Sequence, residues 1–295
     1  MSNTIAGCNL AQIAQMSLEP LTALFAPLNA VTTDFSADVS AAGESVTTRF
    51  ATRPTAQDLS GGFTPTDVSM TARTISLNTY YGFVAAFTDL ERSKSVISLD
   101  NLFIGPMLQA LGKKVFGDIW NLVTESNFAQ YYTSTAANFD RSDLIDVAGT
   151  LTNTLQAPKQ GRAFLADVSF YGSLLKTLNS AEIPGITADK AEGVVPRVTG
   201  FDIYESTECD DNSENLGAFA FHKSALIMAG RRVDASGAAL AGVEVSDVVI
   251  PGLNLPVQLR RWYSPNDGQL RISCGLLYGV QKGTGMGVRV VTSHA

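Results

Sequence analysis

LDNLFIGPMLQALGKKVFGDIWNLVTESNFAQYY, residues 99–132, keeps apolar residues at helical spacing for longer than any other part of this 295-residue sequence. Leu108, Leu111, Val115, Ile119 and Leu122 follow at steps of three and four, which places them on one stripe of an α-helix. Met107, Phe116, Trp120 and Val123 broaden the stripe, and Lys113, Lys114, Asp118 and Glu125 are too few to wet the remainder. Pro106 suits a first turn, where its missing N–H costs no hydrogen bond, so the regular helix is predicted from there to about Ser126. About twenty residues at 1.5 Å each give a rod of roughly 30 Å, long enough to carry a domain.

The rest of the composition bounds what such a domain can do. Only 17% of residues are charged, against about 25% in ordinary soluble domains. A surface so poor in charge is either covered by partners or kept wet by Ser, Thr, Asn and Gln. A net charge of −7 with no cluster of Lys and Arg argues against nucleic-acid recognition. No apolar run is long enough to span a bilayer, and the N-terminus lacks the basic-then-apolar pattern of a secretion signal, so a cytoplasmic chain is expected. Cys8, Cys209 and Cys274 are odd in number and far apart, which fits reduced, unpaired thiols.

Upstream of the helix, residues 1–34 carry one charged side chain before Asp34, Glu19, among Leu10, Ile13, Met16, Leu18, Leu21, Leu24 and Phe25, with Pro20 and Pro27 barring a long helix. So apolar a segment is expected to lie on protein: a flap on its own domain, or an arm across a neighbour. From Phe35 to Asp89 the pattern becomes strand and turn. SVTTRFATRP and VSMTARTISLNTYYGFVAAF alternate, and TAQDLSGGFTPTD between them is rich in turn formers. Two long strands with a polar tip make a hairpin that has almost no core of its own, so it must fold back or lie over a neighbour.

Downstream, Phe139–Leu155 reads as a second amphipathic helix capped by Asp140 or Ser142, with Leu144, Val147, Ala148 and Leu151 on one face. GRAFLADV is a short buried strand, SFYGSLLKTLN a third helix with Ser169 as candidate cap, and 180–197 a loop with Gly185 and Gly193. RVTGFDIYES and GAFAFHKSALIMAGRR bracket ECDDNSEN, where Glu205, Glu208, Asp210, Asp211 and Glu214 crowd one loop. That loop reads as a solvated turn, or as a divalent-cation site without the ligand spacing of the calcium loop. VEVSDVVI, LPVQLRRWYS, QLRISCGLLYGVQ and GVRVVTS make the end strand-rich, with Asn266-Asp267-Gly268 as a hairpin turn.

The sequence carries no recognised catalytic pattern. A serine triad would have to use His222, which sits in an apolar run, since His294 is next to last; there is no G-x-S-x-G elbow. Paired Cys or His at metal-ligand spacing are absent, and GTGMG at 283–287 lacks the Lys-Ser/Thr of a phosphate loop, so it reads as a turn. No catalytic, cofactor-binding or metal-ligating residue is assigned, and the expectation is a non-enzyme without cofactor.

The order of these parts resembles the major capsid (coat) proteins of tailed bacteriophages with the Hong Kong 97 type of shell fold, over nearly the whole chain. The resemblance implies an α+β fold with an N-terminal arm at 1–34, an extended hairpin loop at 35–97, and a peripheral domain with the spine helix at 98–139. An axial α/β domain at 140–240 and returning peripheral strands at 241–295 complete it. It implies self-assembly as hexamers and pentamers into an icosahedral shell that encloses double-stranded DNA without reading its sequence, in a virion assembled in the bacterial cytoplasm. The partners implied are other copies of the chain and separate scaffolding, portal and decoration proteins, with no membrane. No long helical scaffolding domain stands before the arm in this sequence, so a separate scaffolding protein is expected. Two alternatives remain: an encapsulin-like compartment, and a soluble enzyme or binding module with an unrecognised site. Some shells of this family are riveted by an isopeptide bond from a loop lysine to a neighbour's asparagine. Between Phe35 and Ser93 this chain has Arg49, Arg53, Arg73 and Arg92 but no lysine, and Lys94 lies only at the hairpin base.

Overall fold

A computed structural model describes residues 26–33, 45–94 except 53, 64, 66 and 67, 99–178, and 189–293 except 190–191, 236, 239–241, 251–252 and 254. The apolar residues between Leu10 and Phe25, Cys8, Gly185 and His294 lie outside the described residues. After a 3-10 turn at Ala26–Ala30 come strands β1 (Ser45–Ala51), β2 (Met70–Ser76) and β3 (Thr79–Thr88), then helices α1 (Asp89–Lys94) and α2 (Leu99–Trp120). Next are β4 (Tyr131–Thr133), α3 (Arg141–Asn153), β5 (Arg162–Ala166), α4 (Val168–Thr177), β6 (Phe201–Glu205), β7 (Leu216–His222) and β8 (Leu226–Arg231). The end is β9 (Glu244–Ile250), β10 (Leu255–Ser264), β11 (Gln269–Lys282) and β12 (Gly287–Val291).

The stripe on α2 is buried as its spacing requires: Leu108, Leu111, Val115 and Ile119, with Met107, Phe116, Trp120 and Val123, join the main core, and Leu122 packs at its margin. The ends of the helix differ from expectation. It starts at Leu99, so Pro106 lies inside it and withholds one bond from the carbonyl of residue 102. It stops at Trp120 rather than near Ser126. Leu122 and Val123 bond three residues back, to Ile119 and Trp120, while Asn127 Nδ2 takes the Leu122 carbonyl at 2.8 Å and Asn212 Nδ2 that of Val123 at 2.9 Å. Side-chain amides thus satisfy carbonyls that a longer helix would have used, and the apolar residues stay buried in a tight turn.

Two five-stranded sheets flank this helix in sequence. One runs β3-β11-β10-β9, with β8 also paired to β11; its pairings are antiparallel, and β10 and β11 meet across the turn that Gly268 closes at φ +59°. On α2, Asp118 accepts from the Tyr278 hydroxyl of β11 at 2.5 Å. Burial, then the Asp118 carboxylate, raises the Tyr278 pKa, so the phenol stays a donor. The other sheet is mixed, in the order β4-β12-β7-β5-β6, with β4–β12 and β5–β6 parallel. Its β5 is buried along its whole length. Helices α3 and α4 cover that sheet through Leu144, Val147, Leu151, Phe170 and Leu174.

The caps follow local chemistry. Asp140 caps α3 in a reciprocal box with Asp143. On α4 the cap is Asp167 and not Ser169, whose N–H donates to the Asp167 carboxylate; the aspartate comes first, at the residue whose backbone is still extended. Arg162, 3% exposed, donates to the carbonyls of Pro158 and Ala157 and to Thr152 Oγ1, so a cation covers the carbonyl end of α3.

The connectivity departs from expectation in two respects. The second hairpin arm is not one strand: β1 pairs with β2 from Ser45↔Ser76 to Ala51↔Met70, the chain breaks at Leu77-Asn78, and β3 pairs instead with β11. The break occurs where β2 crosses Gly279, at which a Cβ would lie 2.2 Å from the Ser76 carbonyl oxygen. Strand β8, within the block expected at 140–240, joins the sheet of β9–β11, and β12, within the block expected at 241–295, lies between β4 and β7. Of the two places expected for the first segment, residues 26–33 take the one on their own chain: Thr32 N–H donates to the Leu226 carbonyl at 3.1 Å, Met228 N–H to that of Thr32 at 3.0 Å, and Leu28, Ala30 and Val31 are buried with α2.

Candidate assembly surface

Among the described residues, the β1–β2 ribbon packs on the rest of the chain at its root. Val46 and Ile75 pack with Leu77 against Ile227 and Ala229 of β8, and Phe50 leans on them. Every other residue of β2 is exposed. Beyond Ala51 the described residues of the tip are exposed too, Phe63 at 87% and Val68 and Met70 above half. Asp58 accepts from the N–H and hydroxyl of Ser60, which lowers its pKa and shapes the turn. The tip is therefore internally turned but makes no core, and its apolar side chains point outward.

Beside the ribbon, β3 is the edge of its sheet and carries a patch the sequence reading did not single out. Tyr80, Tyr81, Phe83 and Val84 are each about half exposed. The Tyr80 ring lies across Gly275, where a Cβ would stand 2.9 Å from its hydroxyl. Lys114 Nζ sits 4.7 Å from the centre of the Tyr81 ring while bound to Asp118 at 2.5 Å. Glycines and a paired lysine thus set rigid aromatic rings on an edge strand with open hydrogen-bonding capacity, a combination that soluble monomers ordinarily avoid.

The acidic loop proves to be structural. Trp120 Nε1 donates to the Asp210 carbonyl at 2.9 Å, Glu208 pairs with Lys113 at 2.9 Å, and Glu214 accepts from the Glu125 N–H and pairs with Arg289 at 2.8 Å. The loop closes the carboxyl end of α2. Among the described residues no group of three or more His, Cys, Asp or Glu is placed to hold a metal ion. His222 caps the 3-10 turn Lys223–Ala225 through Nδ1, and burial first, then Lys223 and Arg162, lowers its pKa. Cys209 and Cys274 are buried free thiols; burial raises both, Cys274 to about 11, which keeps them unreactive. In GTGMG the N–H groups of Gly283 and Thr284 bond the carbonyls of Ala225 and Ser224, so the stretch is the turn from β11 to β12. No helix among the described residues is long and apolar enough to cross a membrane.

No protein-family model matches the sequence, and no curated protein does. Solved structures do. The chain aligns over 90% of its length with 91% of a protein of Mycobacterium phage Che8, at 19% identity and a TM-score of 0.64. It aligns over 90% with 89% of a chain in the capsid of the cyanophage P-SCSP1u, at 12% identity and TM-score 0.59. This is the phage capsid fold. A virus-like particle from Pyrococcus furiosus shares it, at 13% identity and TM-score 0.50 over 93% of this chain and 99% of that one. Among the described residues, exposed large apolar side chains cluster on the ribbon tip and the β3 edge.

Proposed function

We propose that the chain is a phage major capsid protein with a structural role, assembling as hexamers and pentamers into an icosahedral shell around double-stranded DNA. The observation that carries this reading is the ribbon: Phe63, Val68 and Met70 are exposed on a two-stranded projection whose described core contacts lie at its root, next to the aromatic edge of β3. A monomer gains nothing from such a projection, whereas symmetry repeats each contact around a shell. Apolar area covered at about 25 cal/mol per Å², summed over several neighbours, gives a strong cage from modest patches. In this reading the β1–β2 ribbon carries the extended loop, α2 with the sheet of β3 and β8–β11 forms the peripheral domain, the mixed sheet with α3 and α4 forms the axial one, and scaffold, portal and decoration proteins are partners.

Size-exclusion chromatography with negative-stain microscopy of the purified chain tests this: shells or capsomers support it, and a monomer at every concentration, salt and crowding condition refutes it. The likeness to the Pyrococcus furiosus particle favours a second reading, a compartment for protein rather than DNA. Particles from infected or producing cells decide between them, by nuclease-protected DNA in the first case and co-purifying enzyme in the second.

A further inference from the structure

Strands β1 and β2 carry two exposed arginines, Arg49 and Arg73, and no acid. Arg49 stands opposite Ala72 in the ladder and Arg73 opposite Thr48, so the two guanidinium groups leave opposite faces of the ribbon. The face of Arg73 also holds Val46 and Ile75, which pack on β8, while the face of Arg49 is the outer one. There the hydroxyls of Thr47 and Thr74 share a hydrogen bond at 3.1 Å beside Ala72. On that low surface Arg49 is the one charge.

Neither arginine is answered by its own subunit. Among the described residues neither makes an ion pair or a side-chain hydrogen bond. The charge beside Arg73 is another cation, Lys282, whose pKa is lowered by burial first and then by Arg73. Like charges held together disfavour each other, so the isolated subunit gains nothing from this placement.

The sign of the rest of the chain indicates the missing partner. Residues 45–76 hold Arg49, Arg53 and Arg73 against Asp58 and Asp67, one positive charge net in a chain of net charge −7, so the sequence outside them carries −8. Ribbon and body are of opposite sign, and every copy brings both a cationic projection and an excess of carboxylates. Nucleic acid fits less well, because phosphate binding draws on clustered Lys and Arg, whereas each face of these strands offers one charge.

We propose that the ribbon strands dock on a second copy of this chain, Arg49 and Arg73 each closing a guanidinium–carboxylate pair between copies. The inference rests on the assembly reading above and adds an ionic contact along the strands to the apolar one at the tip. Arginine suits the task, since its planar fork can take both oxygens of a carboxylate.

Zero-length cross-linking of the full chain tests this. Arg49→Lys and Arg73→Lys, made singly, keep the charge and supply an amine, which a water-soluble carbodiimide joins to a touching carboxylate as an amide. Ordinary and heavy-nitrogen chains are assembled together in equal parts, so a link between copies yields peptide pairs of mixed isotope. The expected result is a mixed-isotope link from position 49 or 73 to an Asp or Glu. Arg49→Gln combined with Arg73→Gln should also weaken assembly by about tenfold at unchanged melting temperature. Links of a single isotope only would place the acid on the same chain and overturn the proposal, as would assembled particles with no link at either position. Particles that fall apart under nuclease would assign the arginines to DNA and overturn it too. A parent that never assembles defeats the assembly reading and this inference together, whereas a parent that assembles without the link defeats this inference alone.

Discussion

Arg289 Nη1, on the last strand of the mixed sheet, lies 2.8 Å from the Glu214 carboxylate at the foot of the acidic loop. The guanidinium is almost wholly buried, its Nε donates to the Phe128 carbonyl at 2.8 Å, and Glu125 stands 4.0 Å from Nη2. One side chain therefore ties β12, the turn after the long helix and the loop that caps that helix. A charge so placed is costly to strand: losing one partner of a buried pair leaves the other desolvated and unpaired.

Arg289→Met should accordingly destabilise the protein by about 3 kcal/mol, read as a lowered denaturant midpoint or melting temperature. The double variant with Glu214→Gln should recover part of that loss, because the glutamine keeps an acceptor for the Glu125 N–H without leaving a lone charge. A single variant as stable as the parent would show that the pair holds nothing together.

Deleting Ala56–Thr66, or replacing Phe63 by Asp, should leave stability within about 0.5 kcal/mol of the parent, since surface changes away from packed features cost no more, while assembly is lost. Melting temperature and negative-stain microscopy on the same sample check both halves. Loss of the fold along with the shells would mean that the tip packs inside its own subunit. Tyr81→Asp on β3 should act in the same way.

What the sequence made legible was whatever local periodicity and local chemistry specify. The stripe from Leu108 to Ile119, the Asp140 cap, the buried GRAFLADV strand and the Asp267-Gly268 turn are each set by neighbours within a few residues. The break at Leu77-Asn78 was not legible, because alternation runs through it and the strand that Ser76 crosses there, at Gly279, lies about two hundred residues away. For the same reason ECDDNSEN read as a solvated loop: its partners Trp120, Val123 and Arg289 are remote in sequence. Arg289 itself is hidden in GVRVV, where one charge in an apolar strand carries no local hint of an acid. The aromatic edge at Tyr80–Val84 looked like ordinary strand alternation, since only the pairing order shows that β3 stands at the edge of its sheet.

Lowering the pH should weaken the fold around His222. Burial and the nearby Lys223 and Arg162 hold its pKa below the usual 6.5, so the unfolded chain takes up the proton first as pH falls. The neutral imidazole's contribution is therefore complete above about pH 6.5 and is lost as pH drops below it toward the folded-state value. Protonation also removes the Nδ1 acceptor for the Ser224 N–H. Melting temperatures at pH 7 and pH 5 should differ more for the parent than for His222→Asn; equal slopes would contradict the assignment.

Mature particles boiled in detergent should run as one band near 31.3 kDa. With arginines but no lysine from Phe35 to Ser93, the hairpin offers no amine that can lose its proton and attack a neighbour's amide, and a guanidinium stays protonated. A ladder of multimers that survives reducing agent would contradict this.

The central claim, that this chain builds a shell by laying its ribbon on neighbouring copies, is tested most directly by a cryo-electron-microscopy reconstruction of the particles the purified chain forms. The account predicts an icosahedral shell in which Phe63 and the residues around it lie on a second copy. A reconstruction in which the ribbon contacts only its own subunit, or a sample that yields no closed particle, would contradict it.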